Sequence, residues 1–381
     1  MHDIEITPEL IRGAIELERT ERGLLPHRLP AFARTQNTDE QLAGADVQPS
    51  GVRLVFRTEA TTVELDTVAT KVLYPGGPSR TPGLYDLIVD GRLTGQSDVD
   101  GGNTVSIDMA TGATTVEPGP PGTVRFTDLP AGAKTVEIWL PYNEQTELVG
   151  LRTDAPVEPA PGRGRVWLHH GSSISHGSDA AGPTTTWPAF AAGLAGVDLI
   201  NLGFGGSAVL DPFVARTLRD TPADLISIKI GINLVNKDVM RLRAFTPAVH
   251  GFLDTIRDGH PTTPLLVVSP ILCPIHEDTP GPSGMDLAAF RAGRLLFEAT
   301  GDPAEVATGK LTLNVIRAEL ARIVRQRSAD DPNLTYLDGR ELYGVDDFAE
   351  LPLPDDLHPD AAAHRRIGER FAKLVLAQEP V

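Results

Sequence analysis

Cysteine is almost absent from this chain. Cys273 is the only one in 381 residues, so no intrachain disulfide can form. No apolar run approaches the ~20 residues needed to span a membrane. The first residues, Met1-His2-Asp3-Ile4-Glu5, are acidic and lack the basic and apolar regions of a signal peptide. A cytoplasmic protein is therefore expected. Positive charge is also scarce: 34 Lys and Arg face 51 Asp and Glu, for a net charge of −17. Such a chain has no general attraction for nucleic acid or anionic membranes. There is no G-x-x-x-x-G-K-[ST] phosphate loop, and Gly203 to Gly206 does not match the dinucleotide fingerprint. His276-Glu277-Asp278 offers three ligand types, but adjacent loop residues rarely share one face and no second cluster accompanies them. No metal and no cofactor are expected.

What is present suffices for sizeable cores. The composition is 41% hydrophobic, and the length suggests about two domains. Residues 1–154 read as a helix followed by an all-β sandwich of jelly-roll type. Thr7 suits a helix N-cap with Pro8 at the first helical position, and Leu10, Ala14 and Leu17 share one helical face. From about 50 to 152, short β-branched runs alternate with turns such as Asp90-Gly91 and Asp100-Gly101-Gly102. This part reads as a packing or substrate-framing module, with carbohydrate binding as a weaker option. Residues 155–162 are proline-rich and read as a linker that neither continues a helix nor pairs well in a sheet.

In 163–381, strands and helices alternate. Strands are expected at 165–168, 198–201, 225–230, 265–269 and 334–337. Amphipathic helices are expected at 188–194, 247–257, 311–326 and 360–377. This pattern implies a parallel sheet with helices on both faces. Residues 273–310 interrupt it with a Pro/Gly-rich stretch and then an apolar, helical one around 287–297. An insertion of this length suits a lid or partner surface.

Four features fall at strand ends, the usual ligand edge of such sheets. The first is Gly171-Ser172-Ser173-Ile174-Ser175-His176-Gly177, a βα turn that exposes a serine. The second is Asn201-Leu202-Gly203-Phe204-Gly205-Gly206, and the third is Gly231-Ile232-Asn233. The last is Asp355-Asp356-Leu357-His358, just before the final helix. Each is short, and alone each fits a bland reading as a turn or helix start. His169, His170 and His176 flank the serine and read as structural or pocket-lining. Cys273, at the fourth strand's end, reads as a small buried residue.

Together, in this order, the four blocks resemble those of the SGNH (GDSL-type) serine hydrolases over residues 163 to 380. The resemblance implies a flavodoxin-like α/β/α fold. It implies Ser173 as nucleophile, His358 as general base and Asp355 as the carboxylate that orients it. It also implies an oxyanion hole from the backbone N–H of Ser173 and Gly206 and the amide of Asn233. Two positions depart from the pattern: Ser172 and Leu234 stand where the family has aspartates. Asn236 is a candidate to take over part of that role. The implied chemistry is ester hydrolysis through an acyl-serine. Transfer of the acyl group to a natural-product or sugar hydroxyl is the alternative, as in similar actinobacterial two-domain members. A non-catalytic glycan-binding protein is the alternative of another class. The expected partners are a small acyl ester or acyl donor and a hydroxyl acceptor.

Overall fold

The computed structural model describes residues 1–108 and 111–377. Five parallel strands form its C-terminal sheet: Val166–Gly171, Asp198–Gly203, Leu225–Lys229, Leu265–Val268 and Leu334–Leu337. Their spatial order is second, first, third, fourth, fifth, the doubly wound flavodoxin-like order. The central runs are buried along nearly their whole length, because helices cover both faces, while the edge strand Leu334–Leu337 exposes Thr335. On one face, Trp167 packs on Trp187 and Phe371, which belong to helices Trp187–Ala195 and Ala361–Phe371. On the other, His170 stacks on Phe252 of the Leu242–Gly259 helix, which packs against Pro212–Asp220. The Leu313–Arg327 helix lies beside them, joined by Thr246 Oγ1 donating to Glu319 Oε1 at 2.5 Å.

The N-terminal part is an eight-stranded and a six-stranded sheet. They share one core, in which Leu54, Phe56, Val136 and Ile138 meet Val63, Leu65, Val124 and Leu148. The expected helix from Pro8 through Leu17 is not formed. Pro8–Leu10 is a single 3-10 turn. Ile11–Arg12 then pairs with Arg53–Leu54, and Glu16–Arg19 pairs with Leu24–His27. Gly13, at φ 86°, makes the left-handed corner between these strands, which a helix does not permit. Residues 155–162 also differ from a free linker, since Val157–Pro159 pairs with Phe56–Thr58. That strand lies at a sheet edge, where proline's missing N–H costs no ladder bond.

Two short helices, Ala31–Gln36 and Glu40–Asp46, occur in this first part. Their Ala33, Leu42 and Ala45 join the core of the parallel-sheet half rather than that of the sandwich. Within the 273–310 segment, the helix expected around 287–297 is only Leu287–Arg291. A hairpin of Ser283–Met285 and Phe297–Ala299 encloses the short helix Leu287–Arg291. Phe297 N donates to Asp355 O at 3.0 Å, which pins the hairpin to the loop carrying Asp355 and His358.

Candidate active site

Ser173 opens a one-turn helix, Ser173–His176, directly after the first parallel strand. The carbonyl of Ser172 accepts from Ser175 N and His176 N at 3.0 and 2.9 Å and fixes that turn. His358 Nε2 lies 2.9 Å from Ser173 Oγ. His358 Nδ1 lies 2.6 Å from Asp355 Oδ2. A carboxylate only accepts, so Nδ1 carries the ring proton and Nε2 faces the hydroxyl with its lone pair. Asp355 Oδ1 accepts from the backbone N–H of Leu357 and His358 at 2.9 and 2.6 Å. Burial alone would raise the Asp355 carboxyl. The hydrogen bond and charge of His358, with the two backbone amides, overcome this and hold it below the usual carboxylate range. Asp356 forms no bond to the imidazole; its backbone carbonyl accepts from Cys273 Sγ at 3.5 Å.

The three expected oxyanion donors have no partner among the described residues. The Ser173 N–H is an orphan first-turn amide. The Gly206 N–H has no acceptor. The Asn233 Nδ2 group is buried and unpaired, while its Oδ1 accepts from Ala208 N at 3.0 Å and so fixes the amide's orientation. Gly206 sits at φ 71°, and a Cβ there would strike the Gln41 side chain. Ser172 leaves its hydroxyl buried without a partner, and Leu234 is fully buried in the core. Asn236 bonds to none of Ser173, Gly206 or Asn233, and its Oδ1 is itself unpaired. Asn201 ties this region instead. Its Nδ2 donates to Ser175 O and to Ser50 Oγ, both at 2.9 Å.

A cleft of about 590 Å³ opens beside His358. One wall is apolar, from Met285, Phe290, Leu295 and Phe297 of the insertion. The N-terminal half also lines the cleft, at Tyr74, Arg80, Tyr142 and Asn143. The Phe297 ring meets His358 edge-on, 5.9 Å between centroids. Asp179, which sequence reasoning missed, also lines the cleft. Its carboxylate lies within 4.8 Å of ligand atoms of His358 and Asp355. Enclosure raises it, against the charges of His358 and Arg80. The one signal for it in the sequence is its place six residues after Ser173, in the same loop.

The remaining candidates are engaged elsewhere. His169 bridges Ser227 Oγ and Ser175 Oγ at 2.7 and 2.8 Å, and His170 bonds Leu202 O at 2.8 Å. Burial holds both imidazoles in the neutral form, that of His170 lowered to about 4. Burial, with the carboxylates of Glu277 and Asp355, pushes the Cys273 thiol up to about 12, so it stays protonated. His276 bonds Ser283, Glu277 pairs with Arg317, and Asp278 accepts from Asn314; each takes a different direction. No helix among the described residues is long and apolar enough to cross a membrane.

Fold and site together define an α/β enzyme of acyl hydrolysis or acyl transfer. The chain belongs to the GDSL-like Lipase/Acylhydrolase family, whose model matches residues 170–366, just over half of it. Residues 10–149 match the family model of the SsfX3 N-terminal domain. Over 99% of both chains, the structure is similar to that of SsfX3, a salicylyl-acyltransferase from a tetracycline biosynthetic pathway, at 28% identity and TM-score 0.77. A GDSL-like lipase from Bacteroides ovatus matches at 18% identity and TM-score 0.63, over 95% of this chain and 93% of that one. A family two carbohydrate esterase from Clostridium thermocellum matches at 14% identity and TM-score 0.55, over 85% and 91%. The last two are likenesses of fold. No curated protein sequence matches the chain.

Proposed function

We propose that the protein cleaves carboxylic esters through an acyl-serine intermediate, with Ser173 as nucleophile, His358 as general base and Asp355 as its orienting carboxylate. The observation that carries this reading is the unbroken Ser173–His358–Asp355 run of hydrogen bonds, at 2.9 and 2.6 Å. Ser173 Oγ attacks the ester carbonyl as His358 Nε2 takes its proton. Asp355 stays ionised and stabilises the imidazolium. The tetrahedral oxyanion is received by Ser173 N–H, Gly206 N–H and Asn233 Nδ2, the three donors left without partners. His358 returns the proton to the leaving alcohol, and water releases the acyl group by the same steps. Incubation with 4-nitrophenyl acetate and a fluorophosphonate tests the assignment. Ser173→Ala abolishes both turnover and covalent labelling. Labelling that persists at another residue would overturn it.

A second outcome, release of the acyl group to an acceptor hydroxyl, is favoured by the likeness to the salicylyl-acyltransferase, which extends through both halves of the chain. The cleft supports it too, since one wall is apolar and can shield the acyl-enzyme from water. Added alcohols decide between the outcomes. Transfer predicts that ester product exceeds the share expected from competition with solvent.

A further inference from the structure

The turn Phe204–Ser207 has four backbone amides, and three are spent. Phe204 N donates to Gly171 O at 2.8 Å, and Ser207 N to Phe204 O at 3.1 Å. Gly205 N donates to His176 Nδ1 at 3.2 Å. Only the Gly206 N–H remains; the peptide that carries it is anchored on its Gly205 side by the bond to His176, and its carbonyl accepts from Ser207 Oγ at 3.4 Å. The Gly205 bond requires a lone pair on Nδ1, and the N-terminal half sets that tautomer. His176 Nε2 faces Tyr142 O at 2.6 Å. A carbonyl only accepts, so the ring proton lies on Nε2. Burial and the neighbouring Arg28 charge keep the ring neutral.

Arg28, also from the N-terminal half, donates from Nη2 to the same Nδ1 at 3.3 Å. It is fully buried. Its Nη1 reaches Asn201 O at 3.2 Å and Gly203 O at 2.5 Å, and its Nη2 also reaches Ala45 O. The guanidinium stands 4.9 Å from the centroid of the Phe204 ring. Ser50 Oγ adds a bond to His176 O at 2.5 Å.

We propose that His176 and Arg28 are positioning residues through which the N-terminal half presets the oxyanion loop. They act through Gly205, holding the Gly205–Gly206 peptide so that its remaining N–H faces the developing oxyanion. The proposal rests on the acyl-serine reading above.

Two isosteric substitutions separate the nitrogens of His176. His176→Asn places a carbonyl oxygen near Nδ1 and keeps an acceptor for Gly205 N–H. His176→Gln places its amide near Nε2, keeps the bond to Tyr142 O and removes that acceptor. The expected result with 4-nitrophenyl acetate is a kcat loss of about 10- to 100-fold in the Gln variant, with KM little changed. The Asn variant should keep most of its kcat. Affinity for phenylboronic acid, whose serine adduct places an oxygen in the oxyanion hole, should fall in step with kcat across the series. Equal losses in both variants that follow their melting temperatures would overturn the proposal and leave His176 a packing residue. If the Gln variant does not fold, Arg28→Lys replaces it. A lone ammonium cannot reach all four acceptors, so kcat should fall at constant KM; unchanged kcat would overturn the proposal equally. Turnover that survives in Ser173→Ala sinks the acyl-serine reading instead, so the two failures are distinct.

Discussion

Asp355 is buried yet ionised, and Asp211 is its converse. Asp355 has a depressed carboxyl, so its contribution to stability is present above the unfolded value of about 3.9 and lost as pH falls through its lower folded value. Asp211 is raised to about 6, first by burial and then by the charge of Asp39, with Lys237 opposing. The folded state therefore favours the protonated acid, and ionising Asp211 destabilises the protein as pH rises from about 4 through 6. Asp211→Asn mimics the protonated form. It should stabilise by on the order of 1 kcal/mol at pH 7.5 after solvent screening, a rise in Tm of about 1 °C for a cooperative unit of 381 residues. The gain should shrink towards zero by pH 4. Thermal melts at the two pH values check this, and a gain that does not depend on pH would refute it.

The hairpin Ser283–Met285/Phe297–Ala299 carries the cleft's apolar wall to the loop of Asp355 and His358. Phe297→Ala removes the edge contact with His358, worth about 0.5–1.5 kcal/mol, and should lower kcat/KM by about 3- to 10-fold. The loss should be larger for nitrophenyl hexanoate than for acetate; equal losses would place the acyl group elsewhere. Elements such as the five parallel strands were legible in the sequence because most are short apolar runs, the central ones buried on both sides. Strand ends grouped the blocks of Ser173, Gly206 and Asn233, and the family resemblance added the block of His358 before the last helix and the roles of all four. The helix expected over 8–17 was not. Leu10, Ala14 and Leu17 fit a helical period, but pairing with Arg53–Leu54 and Leu24–His27 decides the outcome, and that partnership is not local. Val157–Pro159 was missed likewise, since an edge position excuses its prolines only once the sheet exists. Arg28 gives no sequence signal at all, as it meets His176 across 148 residues.

At the scale of the whole molecule, the two halves are joined by buried charge as well as apolar packing. Arg53 is fully buried, donates to Leu199 O at 3.3 Å and pairs with Asp198 at 2.7 Å and Glu137 at 3.6 Å. Breaking such a pair leaves an unpaired charge in a low-dielectric interior, which costs several kcal/mol. Calorimetry should therefore record one cooperative unfolding transition, with equal calorimetric and van't Hoff enthalpies. Two resolved transitions would mean that the halves unfold independently. The segment around Ala33, Leu42 and Ala45 adds an asymmetry, because early chain is spent on the later half's core. Recombination at residue 160 would thus cut through a single working unit. A chimera that imports a foreign first half inherits no counterpart to Arg28, Tyr142 or Ser50 unless all three travel with it. Divergence in this lineage is then expected to proceed by exchange of cleft-wall loops, while the two halves are inherited as one cassette.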